Sequence, residues 1–400
     1  MLTNRKTLGT IPYGTLGIIS MDSFLHGDAV DQILVDWRSD RNKSIVDHSG
    51  YAGYVRNSYL IEAKVPRFGS GEAKATLCES VRGYDLFILV DVTNHSMTYR
   101  LSDKENHMSP DDHYQDLKRI IAAVGGKARR INVIMPFLYE SRQHKRNNRE
   151  SLDCALALQE LVEMGVDNII TFDAHDPRVQ NAIPLSGFET VRPTYQFIKT
   201  LLQHIPDLTI DADHMMAISP DEGAMDRAIY LANVLGLDMG MFYKRRDYTK
   251  IVDGRNPIVA HEFLGADLTG KDVIILDDMI SSGDSIIDVA RELKARNAGR
   301  IFACATFGLF TNGMKNFDRA YEEGLIYRVM TSDLIYQSDE LLSREYYISC
   351  PFARYIAYII DMLNHDASIS ELLNPVDRIN KRVREYKEMQ AARAAGQQTE

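Results

Sequence analysis

The feature that most limits the fold of this 400-residue chain is a repeated order of helix, glycine and apolar strand. Four copies occupy residues 111–137, 151–175, 222–246 and 285–308. In the first copy, Ser109-Pro110 predicts the start of the helix and Gly125-Gly126 its end. Continuous apolar strands are typical of parallel sheets that helices cover on both faces. We therefore predict an α/β fold with mostly parallel sheets flanked by helices.

The length of the chain suggests two or three domains. A soft boundary near residue 190 predicts an N-terminal lobe over residues 1–190 and a C-terminal lobe over residues 191–370. The final residues, 371–400, are charged and rich in Ala and Gln. This composition predicts a tail that is either helical or disordered.

The overall charge and hydropathy of the chain exclude some classes of function. The formal net charge is -10, whereas nucleic-acid-binding proteins usually present a basic face. No stretch approaches the roughly 18 apolar residues of a membrane span, and the N-terminus lacks the apolar core of a secretion signal. We therefore expect a cytoplasmic protein that binds neither nucleic acid nor membrane.

The most informative stretch is "DVIILDDMISSGDSIIDVARELKA", which begins at Asp272. It predicts a buried strand that ends in two acids, Asp277 and Asp278, then a Ser/Gly loop and a helix. Ligands of parallel α/β sheets gather at the carboxyl ends of strands, and small loop residues before a helix can enclose an anion with backbone N–H groups. The alternative is an ordinary strand-to-helix turn in which the acids are polar turn residues with no ligand.

Two further strand ends carry possible metal ligands. The strand in "ITFDAHD" is predicted to end at Asp173, and His175 follows between acids, as suits a Mg²⁺ site completed by phosphates. Asp221 lies at a strand-to-helix turn. The alternatives are a surface histidine for His175 and a helix cap for Asp221.

Two basic groups also lie at strand ends. Lys244 to Arg246 end one strand and begin a Lys/Arg-containing loop over residues 244–257. A second group, residues 142–149, follows a strand predicted to end at Phe137. In an acidic chain, such groups indicate phosphate binding, although a solvated run of charges is the alternative. Together with the acidic strand ends, they could hold a polyphosphate and Mg²⁺ against a phosphorylated sugar.

Taken in order, these motifs resemble those of the ribose-phosphate pyrophosphokinase family. The resemblance runs from about Phe68 to about Asp333. The segments that carry it are "FGSGE", "ESVRGYDLFIL", "MPFLYESRQHKR", "FDAHD", "ISPDEGAMDRA", "YKRR" and "ILDDMISSGDS". The family fold implies two phosphoribosyltransferase-like lobes, each with a mostly parallel sheet flanked by helices.

The resemblance also implies a role for each motif, residue by residue. ATP-binding roles fall on Phe68, Ser70, Glu72, Arg142, Gln143 and His144. Mg²⁺-binding roles fall on His175 and Asp221, and catalytic roles on Lys244 and Arg246. Ribose-5-phosphate-binding roles fall on Asp277, Asp278, Ser281, Ser282, Gly283, Asp284 and Ser285.

The activity that the resemblance implies is transfer of the β,γ-diphosphoryl group of ATP to C1 of ribose 5-phosphate. The products are AMP and 5-phosphoribosyl 1-diphosphate, which feeds nucleotide biosynthesis. The family also implies Mg²⁺ dependence, a homo-oligomer built from dimers, which in the family can assemble into hexamers, and closure of the loop at residues 244–257 over the reactants.

The phosphate loop departs from the family pattern. It reads S-S-G-D-S where the family usually has D-T-G-G-T, so Ser281 replaces an acid and Asp284 replaces a glycine. A carboxylate so close to a phosphate should repel it unless the side chain turns away or reaches the metal. Two alternatives therefore stay open: a catalytically silent regulatory homologue, and a phosphoribosyltransferase that consumes the diphosphate.

Overall fold

The computed structural model describes residues 10–44, 53–246 and 258–397. The chain divides into two compact units. The first unit takes residues 1–192, 333–336 and 351–374, and the second takes the remaining residues. Each unit contains one large, mostly parallel sheet with helices packed around it, which confirms the predicted α/β class.

The first unit contains a five-stranded parallel sheet with the order β1-β4-β7-β8-β9. Its strands are β1 (Thr15–Ser20), β4 (Tyr84–Leu89), β7 (Arg130–Ile134), β8 (Asn168–Phe172) and β9 (Gly187–Val191). Two small antiparallel pairs are β2 (Ala63–Lys64) with β3 (Thr76–Leu77), and β5 (Thr98–Leu101) with β6 (Lys104–His107). Its helices are α1 (Gly27–Ser44), α2 (Pro110–Val124), α3 (Asp153–Glu163), a 3₁₀ helix (Pro177–Ala182), α9 (Ala353–Asn364) and α10 (Ser370–Leu373).

The second unit contains a seven-stranded sheet with the order β12-β11-β10-β13-β14-β15-β16, in which β12 alone is antiparallel to its neighbour. Its strands are β10 (Met215–Ser219), β11 (Asp238–Arg246), β12 (Ile258–Leu264), β13 (Asp272–Ile280), β14 (Ile301–Gly308), β15 (Arg328–Ser332) and β16 (Tyr347–Cys350). Its helices are α4 (Thr194–His204), α5 (Met225–Leu235), α6 (Asp284–Ala295), α7 (Lys315–Glu322), α8 (Asp339–Leu342) and α11 (Val376–Gln397).

Helix α2 shows how local sequence sets these elements. Ser109 caps the helix by accepting a hydrogen bond from the backbone N–H of Asp112, whose side chain accepts one from the backbone N–H of Ser109. Pro110 occupies the first turn, where a missing N–H costs nothing, and Gly125 ends the helix with φ of 57°. The predicted start and end of this helix are confirmed.

Two predicted strand ends are wrong by a few residues. β13 continues to Ile280, because Met279 and Ile280 still pair with β14, so Asp277 and Asp278 lie inside the strand rather than at its tip. β7 ends at Ile134 rather than Phe137. Pro136 has no N–H with which to extend the ladder of β7.

The end of α6 also differs from the sequence pattern, which placed the stop at Gly299. The helix ends at Ala295, and Asn297 takes the left-handed conformation with φ of 62°. Asn is one of the few residues besides Gly that adopts this conformation readily. Within the described ranges, no helix is long and apolar enough to cross a membrane.

Candidate active site

The first unit presents Phe68, Ser70 and Glu72 on an exposed turn. The backbone N–H of Phe68 donates to the carbonyl oxygen of Glu72 at 2.7 Å, and the Ser70 hydroxyl donates to the Glu72 carboxylate at 2.9 Å. Gly71 has φ of +89°, a conformation that favours glycine. The Phe68 ring is 53% exposed. A surface-facing aromatic ring beside two polar groups can contact a planar ligand.

Contacts from Arg67 and from the β5–β6 hairpin support this turn. The guanidinium of Arg67 donates to Asp116 on α2 at 2.8 Å and lies 4.8 Å from the ring centroid of Tyr99 on β5. The backbone N–H of Ser102, between β5 and β6, donates to the carbonyl oxygen of Gly69 at 3.2 Å. The β5–β6 hairpin therefore supports the turn, although the sequence analysis gave it no role.

Two predicted site histidines meet in the first unit. The rings of His144 and His175 have centroids 5.2 Å apart, and Nε2 of His144 lies 3.5 Å from a carboxylate oxygen of Asp176. His144 follows β7, whereas His175 and Asp176 follow β8, the adjacent strand. Burial, followed by the proximity of His175, lowers the pKa of His144. His144 is therefore neutral near pH 7.

Asp176 is fixed by its neighbour Arg178. The guanidinium contacts both carboxylate oxygens, with Nε at 2.9 and 3.1 Å. This hydrogen bonding lowers the pKa of Asp176 to about 2. The carboxylate therefore stays ionised and can keep His144 in place across the physiological range.

The other residues of the basic group after β7 differ in their contacts. The Gln143 side chain donates to the carbonyl oxygen of Ser151 at 2.8 Å, which holds the loop closed. Arg142 is exposed. An exposed guanidinium remains available to an anionic ligand.

Asp91, to which no role was assigned from the sequence, follows β4, the strand that pairs with β7. Its carboxylate accepts hydrogen bonds from the backbone N–H and hydroxyl of Thr93 at 2.8 and 2.7 Å, and from the backbone N–H of Tyr336 at 2.7 Å. Burial raises the pKa of Asp91 to about 6. The signal was present in the sequence, since the apolar run of β4 continues directly into this acid.

The second unit brings three predicted site acids together. Oδ1 of Asp277 accepts a hydrogen bond from the backbone N–H of Asp278 at 2.8 Å. Burial raises the pKa of Asp277 well above its usual value, and the charges of Asp278 and Asp221 raise it further. Crowded carboxylates of this kind are stabilised by hydroxyl donors or by a cation.

Asp221 does not cap α5, because the N-cap residue is Ala224 and no side chain caps this helix. Its Oδ1 accepts from the backbone N–H groups of Gly223 and Ala224 at 2.9 and 3.3 Å, just before α5. Arg227 on α5 lies 4.0 Å from Asp278. These turn hydrogen bonds fix the position of the Asp221 carboxylate, and a role in metal binding stays a prediction.

In the loop at residues 281–285, the Asp284 carboxylate is held by two neighbouring side chains. Asp284 is the first residue of α6, and one carboxylate oxygen accepts from the Ser282 hydroxyl at 3.0 Å. The other accepts from the Asn316 side chain at 3.1 Å. Gly283 has φ of +89°, and an added Cβ there would meet the Phe317 ring at 2.2 Å. The carboxylate is thus engaged by Ser282 and Asn316, and the loop itself is braced by Phe317 of α7.

The two predicted catalytic cations lie on β11. In the backbone register, Lys244 pairs with His261 of β12, and the register shifts between Arg245 and Arg246. The side chains of Lys244 and Arg246, and the loop over residues 247–257, lie outside the part of the chain that the structure describes.

The described residues provide few protein ligands for a metal ion. Among the described residues, no group of three or more His, Cys, Asp or Glu side chains could hold a metal ion by itself. Mg²⁺ usually keeps several waters and is bound through one or two carboxylates plus substrate phosphates. Burial, and then the charges of Asp278 and Asp221, raise the pKa of Asp277, and a group of acids of this kind fits an ion bound in this shared way.

Comparison with known proteins identifies the class. The N-terminal domain of ribose phosphate pyrophosphokinase matches residues 42–165, and a phosphoribosyl transferase domain matches residues 191–327. The chain is thus an α/β protein of the phosphoribosyltransferase type, with two such domains. It belongs to the ribose-phosphate pyrophosphokinase family and is an enzyme of the diphosphokinase class.

Individual relatives cover most of the chain. The ribose-phosphate pyrophosphokinase of Vibrio parahaemolyticus is 28% identical over 323 residues, which are 79% of this chain and 92% of the relative. The enzyme of the same name from Chlorobaculum tepidum is 29% identical over 250 residues, covering 62% of this chain and 68% of the relative. The crystal structure of phosphoribosylpyrophosphate synthetase from Mycobacterium smegmatis has a TM-score of 0.68 at 19% identity, and covers 88% of this chain and 100% of that one.

Proposed function

We propose that this enzyme transfers the β,γ-diphosphoryl group of ATP to the C1 hydroxyl of ribose 5-phosphate. The products are AMP and 5-phosphoribosyl 1-diphosphate, a precursor for nucleotide biosynthesis. Family membership supports this reaction type. The observation that carries the proposal is the pair Asp277–Asp278 beside a Ser/Gly loop whose acid, Asp284, is engaged by Asn316.

On the sugar side, we assign ribose 5-phosphate to the second unit. The Asp277 and Asp278 carboxylates are acceptors for the sugar hydroxyls, which would relieve their mutual repulsion. The backbone N–H groups at the start of α6, with Ser281, Ser282 and Ser285, are donors for the 5-phosphate. Because Asn316 engages the Asp284 carboxylate, this charge does not need to face the phosphate.

On the nucleotide side, we assign ATP to the first unit. Phe68, Ser70 and Glu72 suit the adenine, because an exposed ring can stack on the base and polar groups can read its edge. Arg142 is exposed and suits phosphate. Neutral His144 can then act as a hydrogen-bonding group rather than a charged one.

The transfer itself is a substitution at the β-phosphorus. The C1 oxygen of the sugar forms a bond to the β-phosphorus, and the bond from that phosphorus to the α,β-bridging oxygen breaks. The bridging oxygen leaves with AMP, and the proton of the C1 hydroxyl is released. Such reactions depend on positioning and charge stabilisation rather than on covalent chemistry. We assign that stabilisation to Lys244 and Arg246.

Mg²⁺ is the cofactor that fits this chemistry, with His175 and Asp221 as the assigned protein ligands. When bound, it neutralises phosphate charge and helps to align the diphosphoryl group. Asp221 is held by Gly223 and Ala224, so its carboxylate would not need to be reorganised for binding.

A direct assay tests the proposal. Purified full-length protein is incubated with ATP, Mg²⁺ and ribose 5-phosphate, and the nucleotides are separated by chromatography. We expect AMP to form only when all three are present. A protein that binds ATP but forms no AMP would instead be the silent regulatory homologue.

The phosphoribosyltransferase alternative has a separate assay. Such an enzyme would consume 5-phosphoribosyl 1-diphosphate in the presence of a nucleobase and release diphosphate. The match of residues 42–165 to the N-terminal pyrophosphokinase domain argues against it.

A further inference from the structure

The loop after β7 begins with a strained turn. The backbone N–H of Ser141 donates to the carbonyl oxygen of Leu138 at 3.1 Å, so residues 138–141 form a β-turn. Glu140, the third residue of this turn, has φ of 55°. Gly or Asn is usual at a turn position with positive φ, and a glutamate there persists only when its surroundings hold it. Burial, followed by the charges of nearby acids, raises the pKa of Glu140, so its own carboxylate is not what stabilises the turn.

The second residue of the turn, Tyr139, makes the contacts that can offset this strain. Its ring stacks on the ring of Tyr114 in α2, with centroids 4.2 Å apart and planes inclined by 3°. Its hydroxyl donates to Oδ1 of Asp111, in the first turn of α2, at 2.7 Å. Burial, followed by this hydrogen bond, raises the pKa of Tyr139, so the hydroxyl stays protonated and remains a donor. A stacked ring and a hydrogen bond to a carboxylate are both favourable interactions.

Tyr114, on which Tyr139 stacks, is itself fixed from two helices. It is 5% exposed, and its hydroxyl donates to the carbonyl oxygen of Ala157 in α3 at 2.8 Å. A carboxylate oxygen of Glu160, also in α3, lies 3.2 Å from the same hydroxyl and the other accepts from Lys118 of α2 at 2.7 Å. Tyr139 therefore ties the loop after β7 to a rigid pair of helices.

The strained turn leads directly into the residues proposed to bind ATP. Arg142 follows Tyr139 by three positions and is exposed. Beyond Arg142 in the chain, His144 lies 3.5 Å from the Asp176 carboxylate. The exposed guanidinium is thus carried by a short segment that is held on one side by Tyr139 and on the other by His144.

We propose that Tyr139 is a positioning residue for the nucleotide: its contacts with Tyr114 and Asp111 hold the strained turn in the form that presents Arg142. This inference rests on the assignment of ATP to the loop after β7. Without these contacts the turn would populate other conformations, and the affinity for ATP would fall by the fraction of molecules that is no longer competent. Because bound ATP restores the order of the loop, the chemical step would change little.

The test measures the affinity of the full-length protein for a non-hydrolysable ATP analogue by calorimetry. Tyr139→Ala removes both contacts and should raise the dissociation constant about threefold to tenfold. Tyr139→Phe keeps the stacked ring and should raise it less than about threefold. In steady-state assays the KM for ATP should rise in parallel, with kcat and the KM for ribose 5-phosphate nearly unchanged. An unchanged dissociation constant in Tyr139→Ala would overturn the proposal.

Tyr346→Phe is the matched control for a purely structural role. The Tyr346 hydroxyl donates to Oδ1 of Asp318 in the second unit, also at 2.7 Å. Tyr346→Phe and Tyr139→Phe should each lower the melting temperature by about 1–4 °C, but only the Tyr139 variants should weaken nucleotide binding. Equal weakening in Tyr346→Phe would assign the effect to general stability and refute the role of Tyr139.

A second variant tests the link to backbone strain. Asn adopts the left-handed conformation at lower cost than Glu, so in a Glu140→Asn background the turn depends less on its contacts. Adding Tyr139→Ala to Glu140→Asn should then raise the dissociation constant less than about twofold, and the double-mutant comparison removes any direct effect of the Glu140 charge. The full effect of Tyr139→Ala in this background would contradict the proposed link.

The same measurements separate this inference from the proposed reaction. A wild-type protein that binds the analogue but forms no AMP would refute the reaction alone, and the affinity ratios would still decide the role of Tyr139. Normal AMP formation with an unchanged affinity in Tyr139→Ala would refute the positioning role alone.

Discussion

Asp284 shows how a single departure from a family pattern can be accommodated. A carboxylate at the first residue of α6 would oppose a phosphate bound at the helix start. Its two oxygens are instead engaged by Ser282 and Asn316. Asn316 lies on α7, 32 positions further along the chain. The sequence showed the problem, but it could not show the solution, because nothing local links Asn316 to this loop.

Asn316 should therefore act as a positioning residue for the proposed sugar phosphate. Asn316→Ala frees the Asp284 carboxylate to approach the phosphate, which should cost about 1 kcal/mol of binding. We expect the KM for ribose 5-phosphate to rise about fivefold, with kcat and the KM for ATP nearly unchanged. Steady-state kinetics with each substrate varied in turn measures this.

The matched control uses the charge itself. In an Asp284→Asn background there is no carboxylate to restrain, so the added Asn316→Ala change should have little effect. Equal effects of Asn316→Ala in both backgrounds would show that Asn316 supports the loop by packing alone.

Lys244 carries the prediction about the chemical step. If its cation acts on charge that develops during transfer, Lys244→Ala should lower kcat by about 10²–10³. The KM for ATP should change far less, because ground-state binding does not need this interaction. A loss shared equally between kcat and ATP affinity would assign Lys244 to binding instead.

At the scale of elements, α1 and α9 are joined through a buried ionic cluster. Arg41 donates to Asp361 at 2.7 Å, and Arg38 donates to Asp361 at 3.3 Å and to Asn364 at 2.6 Å. His365 packs beside Asp361, and its Nδ1–H donates to the Asp361 carbonyl oxygen at 2.7 Å. Sequence patterns could not pair these helices, because about 320 residues separate Arg41 from Asp361.

His365 should make the stability of the first unit depend on pH. Burial lowers its pKa from 6.5 to about 4, so the unfolded chain binds this proton more readily than the folded one. Stability from this group is complete above pH 6.5 and is lost as pH falls toward 4. The loss between pH 7 and pH 5 should be about 2 kcal/mol.

Urea unfolding of wild type and His365→Gln at the two pH values tests this. Trp37, the only tryptophan, lies on α1, so its fluorescence reports on the first unit. Asp91 has a raised pKa and shifts stability in the opposite direction, but it is common to both proteins and cancels in their difference. The difference in the free energy of unfolding between wild type and His365→Gln should be smaller at pH 5 than at pH 7. A free energy of unfolding that changes equally with pH in both proteins would contradict the account. The control is His107→Gln, which changes an exposed histidine.

At the scale of the whole molecule, the sequence predicted the architecture better than its details. Apolar periodicity was sufficient for the α/β class and the parallel sheets, because buried strands leave a strong local signal. The exact ends of the strands could not be predicted from the sequence. The last residues of β13 are held by pairing with β14, which is a tertiary effect.

The sequence pattern assigned residues 191–370 to one C-terminal lobe and gave no sign that distant segments complete each unit. Residues 333–336 and 351–374 pack with the first unit, although they follow most of the second in the chain. Because residues 333–336 belong to the first unit, the backbone N–H of Tyr336 can donate to the Asp91 carboxylate at 2.7 Å. Asp277 and His175 could be proposed from the sequence because their motifs are local. The contact of Asp91 with Tyr336 and that of Asn316 with Asp284 join distant positions, so no local motif predicts these contacts.

The central claim is that this chain moves a diphosphoryl group as one unit. ³¹P NMR of a reaction with ATP, Mg²⁺ and ribose 5-phosphate reads this directly. We predict that AMP and a C1-linked sugar diphosphate appear in equal amounts, with no ADP at early times. Formation of ADP with a sugar monophosphate ester, or unchanged ATP beside a protein that binds it, would contradict the account.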